Sequence, residues 1–192
     1  MGLQLHLHPD RTVSLGGIAQ FTANQALQNT TSALLNKALG REGSLSDALQ
    51  SSLVNAFAAY GFNLVGDIGL QNDLPEGGLA KIGLHAVMGG LASLAAGGDF
   101  KTGALAAGVN EALVGKLASA YAGMSKEDRD RLLLMNSQLI GVLTTAIQDP
   151  DADNAKLQTG SWVAQSGTQY NLLGHQEIDD LESEARGCEA KV

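Results

Sequence analysis

LAKIGLHAVMGGLASLAAGGDFKTGALAAGVNEALVGKLASA, residues 79–120, decides the fold. Two runs of helical length, 79–96 and 100–120, flank Gly97-Gly98-Asp99. The glycine pair supplies a turn, and Asp99 is placed to cap the second helix. Small residues recur four apart: Gly89 with Ser93 and Gly97, Gly103 with Ala107, Gly108 with Ala112. That spacing lets two helix backbones approach closely. An interior glycine costs about 1 kcal/mol against alanine, so close packing is the expected compensation. Asp99, Lys101, Glu111 and Lys116 interrupt any membrane span, which favours a packed hairpin over a membrane hairpin. His85, inside a mostly apolar helix, reads as a hydrogen-bonded core histidine.

Toward the N-terminus, Leu3 to Leu7 alternates with a strand period until Pro9, and this start reads as cut from a larger chain. His6 and His8 share one face of that segment, but two ligands do not make a metal site. Residues 12–17 read as a loop. From Ile18 to Leu39, Phe21, Leu27, Leu34, Leu35 and Ala38 follow helical spacing, and Gly40 stops the helix. A second helix starts near Ser44, whose partner Asp47 resembles a capping box. Leu45, Leu49, Leu53, Ala56, Phe57, Tyr60 and Leu64 trace its apolar stripe, with an end expected near Val65. Residues 66–78 read as a connector.

Toward the C-terminus, Gly123 closes the hairpin and Ser125 caps the next helix. Its buried face is expected from Leu132, Leu133, Met135, Leu139, Ile140, Leu143 and Ile147. Asp149-Pro150 ends it, and Asp151 is expected to cap the last long helix, with Leu157, Trp162 and Val163 facing inward. Asp149, Asp151 and Asp153 imitate the start of a calcium loop. The match fails where Asn154 replaces the turn glycine and Gly160 replaces the final glutamate. Gly174 reads as a break, followed by an acidic tail.

The 192 residues are 44% apolar, 17% charged and 4% aromatic, with 24 glycines. The core must therefore be built mostly from Leu, Ala, Val and Ile. The expectation is a mainly α fold: an Ala/Gly-rich bundle of about six or seven helices with a short N-terminal extended segment. A net charge of -8 argues against a nucleic-acid groove and against overall attraction to anionic lipid. Cys188 is the one cysteine, so no internal disulfide is expected. No phosphate loop, nucleophile elbow or metal-ligand set is present, and neither an enzyme nor a cofactor is expected.

Two stretches carry a family resemblance. Ile82 through Ala92 and Gly103 through Leu113 resemble the region before the toxin in two-partner-secreted contact-dependent growth inhibition effectors of the CdiA and filamentous-haemagglutinin type. Asp149 through Leu173 resembles the pretoxin segment of those effectors, which ends in a Val-Glu-Asn-Asn motif. Residues 15–69 resemble the "possible haemagglutinin" module upstream. Thr168, Gln169, Tyr170 and Asn171 stand at the motif, and only Asn171 is identical.

The resemblance implies four parts: an extended lead-in at 1–17, a haemagglutinin-like helical module at 18–76, a helical pretoxin module at 77–171, and an acidic tail at 172–192 where a toxin would begin. It implies a secreted or surface protein of a Gram-negative bacterium whose partners are a C-terminal toxin domain and an outer-membrane two-partner transporter. The implied role is non-enzymatic: to export, hold and present the toxin. One alternative is self-cleavage by cyclisation of Asn171, assisted by Tyr170 or His175. A weaker alternative is a membrane-inserting hairpin at 79–120, so membrane contact is left open.

Overall fold

The structure is a computed structural model and describes residues 45–176, together with residues 20, 23, 24, 26, 27 and 29. Its elements are α1 (Leu45–Gln71), α2 (Leu79–Ala95), α3 (Phe100–Ala120), α4 (Lys126–Gln148), α5 (Asn154–Gly167) and a π-helical turn (Thr168–Leu173). Among the described residues there is no β-strand, and the mainly α expectation holds. The extended lead-in, most of the 18–39 helix, His6, His8, Cys188 and the tail from 177 lie outside the described residues.

The α2–α3 hairpin forms as its glycines require. Gly97 takes φ 84°, a left-handed turn that side chains resist. The Asp99 carboxylate accepts from the Thr102 amide at 2.9 Å and the Thr102 hydroxyl at 2.7 Å. Gly89 and Gly103 bring the two backbones together: a methyl on Gly103 would collide with the Gly89 carbonyl. The same device joins α4 to α5, where Gly141 lies against the Gly160 backbone. α5 touches all four other helices and is the central rod. One apolar cluster joins Ala58, Phe62, Val65, Met88, Ala92, Ala107 and Val163, and a second joins Val114, Leu133 and Leu172.

Several expectations need correction. α1 does not stop near Val65 but runs to Gln71. Gly66 sits inside it because the His175 and Asn171 side chains occupy the space a side chain would need, whereas a Cβ at Gly69 would make only ordinary contact with Lys81. Asp153, not Asp151, caps α5, accepting from the Lys156 amide at 2.8 Å. Gly174 does not break the chain: the turn at 168–173 passes into helical residues 174–176.

The largest correction concerns which faces are buried. On α4 the interior positions are Leu133, Ser137, Gly141 and Thr145, while Met135, Leu139, Leu143 and Ile147 are exposed. On α1, Ser52, Ala56, Ala59 and Phe62 are inside, while Leu49, Leu53, Phe57 and Tyr60 are exposed. The physical reason is the approach distance. Backbones in glycine contact leave room only for small side chains and short hydroxyls, and the larger apolar residues turn outward.

Candidate functional site: the buried junction segment

Thr168 to Leu173 continues α5 as a π-helix, whose wider turn is a common feature of functional sites. Thr168, Asn171 and Leu172 are buried, and Gln169 is exposed. Leu172 enters the second apolar cluster. Leu173 and Tyr170 also pack against the apolar clusters, and polar anchors come from all four surrounding helices.

Asn171, like Thr168, is only 1% exposed. Its side-chain amide lies 2.6 Å from His85 Nε2 on α2. The same His85 nitrogen lies 3.2 Å from Glu111 Oε2 on α3, with both side chains 1% exposed. Glu111 Oε1 accepts from the Gly77 amide at 3.0 Å. Lys81, itself buried, pairs with Glu76 beside this carboxyl. The other face of the imidazole is covered by Phe62, with ring centroids 5.5 Å apart.

A second chain of hydrogen bonds runs through Thr168. Asn110 Nδ2 donates to the Ala164 carbonyl at 3.1 Å and to Thr168 Oγ1 at 2.9 Å. Ser137 Oγ donates to the Leu133 carbonyl at 2.8 Å. The Thr168 hydroxyl therefore donates to Ser137 Oγ, 2.6 Å away, and the relay has one direction from α3 to α4.

On the α1 side, Asn63 Nδ2 donates to the Tyr170 carbonyl at 3.4 Å, and His175 Nε2 lies 3.3 Å from the Asn63 carbonyl. Gly66 makes this possible: a Cβ there would collide with both Asn171 and His175. The Tyr170 ring packs against the first apolar cluster, and burial raises its phenol pKa.

Burial sets the protonation of the His85–Glu111 pair. Desolvation, with the Lys81 charge second, pulls His85 down to about 3. Desolvation pushes Glu111 up to about 7, against the opposing Gly77 hydrogen bond. His85 is therefore neutral, and the pair holds one proton over a wide range. His85 Nδ1 has no hydrogen-bond partner. The Asn171 amide nitrogen can only donate, so His85 Nε2 accepts from it and the neutral ring carries its proton on Nδ1.

A family model described as "Possible hemagglutinin (DUF637)" matches residues 6–107. The chain belongs to this family. No curated protein and no solved structure matches it. The possible-hemagglutinin match takes in α1, α2 and the first part of α3, so it includes His85 but not Glu111 or the junction segment.

Of the expected site residues, Asn171 and His175 meet at Gly66, while the Tyr170 ring lies against the apolar cluster. Thr168 is buried in the relay to Ser137, and Gln169 is on the surface. His85 is the hydrogen-bonded core histidine the sequence suggested. Sequence reasoning missed Glu111 as its companion, and Asn110 and Ser137 as the companions of Thr168. The available signal was register: Glu111 shares α3's inward side with Ala107 and Val114.

Asp149 pairs with Lys156 at 2.8 Å, and Lys156 also reaches Asp99 at 3.2 Å. These contacts and the Asp153 cap account for the acidic triplet's main contacts as helix-end structure.

Proposed function

We propose that the chain is a non-enzymatic pretoxin module of a secreted or surface effector of the contact-dependent growth inhibition type. In this reading it holds the start of a C-terminal toxin region and presents it for delivery. The family's printed description supports a haemagglutinin-like, two-partner-secretion-related protein. The observation that carries the finer reading is the seat of Asn171. The residue at which the resemblance places the junction is built into the bundle by a buried His85–Glu111 pair rather than left on a linker.

The test fuses a reporter toxin after residue 171 in a two-partner-secreted effector and compares delivery with and without residues 15–170. Delivery should fall sharply without the module. Equal delivery would end this reading.

Self-cleavage is the second reading, and two contacts favour it. The Gly174 amide donates to the Asn171 carbonyl, which polarises it. The Asn171 side chain lies beside an uncharged imidazole at 2.6 Å. Attack by Nδ2 on its own carbonyl would break the bond to Leu172, leaving a C-terminal succinimide and a free Leu172 amine. The helical seat holds Nδ2 on His85 instead, so the reaction would follow release of the segment. Intact-mass measurement decides: no loss of residues 172–192, in wild type and Asn171→Ala alike, rejects it.

A further inference from the structure

α4 meets α3, α5 and the junction turn through an inner side of Leu133, Ser137, Gly141 and Thr145. Its opposite side bears Met135, Leu139, Leu143 and Ile147, exposed by 52%, 57%, 59% and 81%. Residues four apart on a helix are neighbours, so these four form one unbroken ridge, about 18 Å long. No charge interrupts it, because residues 132–148 hold none. Beside it, Val142, Leu157 and Trp162 lie along a groove of about 360 Å³ between α4 and α5.

The ridge ends in opposite charges. Four residues before Met135 stands Arg131, and four beyond Ile147 stands Asp151, just past the helix end. Both are exposed, and neither forms an ion pair among the described residues. Their charged neighbours are engaged. Lys126 and Arg129 pair with Asp130, Asp128 accepts from the Ser125 hydroxyl, and Asp149 pairs with Lys156.

A row of one basic residue, four apolar residues and one acidic residue is its own complement when turned end for end. A two-fold axis beside residue 141 sets Met135 against Ile147 and Leu139 against Leu143 of a second copy. It also brings each Arg131 to the Asp151 end of the other copy. Packing of such i,i+4 ridges on one another is the commonest helix pairing in globular proteins. Each copy carries a net charge of -8, which opposes unoriented contact, so the charged ends select the antiparallel pair.

We propose that this ridge is a self-association surface on which a second copy of the chain docks antiparallel, α4 against α4. The contact is smaller than a standard interface, so the pair is weak and depends on concentration.

The test is light scattering and sedimentation equilibrium of the whole 192-residue chain, from micromolar to near-millimolar concentration. The wild type should pass from monomer to dimer across that range. Leu139→Glu combined with Leu143→Glu should weaken association at least tenfold, with helicity unchanged because both sites are exposed. Leu94→Glu, on the exposed side of α2, should dimerise like wild type. Arg131→Asp and Asp151→Arg should each weaken the dimer several-fold at low salt, and the two combined in one chain should restore it. At micromolar concentration, where the monomer prevails, urea unfolding of the α4 variants should match wild type. Flotation of the same variants with phosphatidylcholine vesicles covers the other occupant. A wild type that stays monomeric, a dimer indifferent to the Leu139/Leu143 change, a charge exchange that fails to restore association, or a monomer that floats through this ridge would each overturn antiparallel pairing.

Discussion

Replacing Glu111 with Gln should change how stability depends on pH in a way few other substitutions would. In wild type, Glu111 is raised to about 7 from an ordinary 4.5, so the folded state holds its proton more tightly. That contribution is present below pH 4.5 and is lost as pH rises to about 7. At ~1.4 kcal/mol per pH unit it amounts to about 3 kcal/mol. His85 runs the other way. Its pKa falls from 6.5 to about 3, so its contribution is present above pH 6.5 and is lost as pH falls toward 3.

Between pH 4.5 and 6.5 the two slopes oppose each other, and the pair adds little pH dependence. Glu111→Gln removes one slope and leaves the other. Relative to wild type, the variant should gain about 3 kcal/mol across that window. His85→Gln should lose about as much over the same range. Urea unfolding, followed by helical circular dichroism at several pH values and plotted as variant minus wild type, cancels the other carboxylates. Parallel curves for wild type and Glu111→Gln would refute the shared-proton pair.

Other outcomes follow from the packing. Nitrogen chemical shifts of His85 should show a neutral ring protonated at Nδ1, with Nε2 accepting from Asn171, at pH 6 to 7, where the ring stays uncharged. Gly103→Ala should cost roughly 1–3 kcal/mol in urea unfolding, because its Cβ meets the rigid Gly89 backbone. Gly83→Ala should instead stabilise by up to about 1 kcal/mol, since nothing lies within 4 Å of that position. Leu133→Ala should cost about 2–5 kcal/mol. Leu143→Lys, on the same helix but 59% exposed, should change stability by less than about 0.5 kcal/mol.

The helical class, the hairpin turn and the caps at Asp99 and Ser125 were legible because they depend on local chemistry: a glycine pair, an aspartate and a serine at the right offsets. The buried faces were misread where leucine spacing was taken as the signal. Leu139 and Leu143 keep helical spacing as well as Leu133 does, yet only Leu133 is inside. What decides is the backbone contact between Gly141 and Gly160, a pairing across 19 positions that one helix's periodicity does not encode. The site was half legible for a related reason. Asn171 was singled out by its place in a motif, but its companions His85 and Glu111 come from two other helices. Their common depth follows from the hairpin packing rather than from any local pattern.

Amide hydrogen exchange across residues 168–173 tests the central claim most directly, because it asks whether the junction segment is part of the bundle. The seat described here predicts protection comparable to α5 in wild type, and at least tenfold faster exchange in Asn171→Ala while α2 and α3 stay protected. Exchange of 168–173 at unprotected rates in the wild type, or equal protection in both proteins, would contradict it.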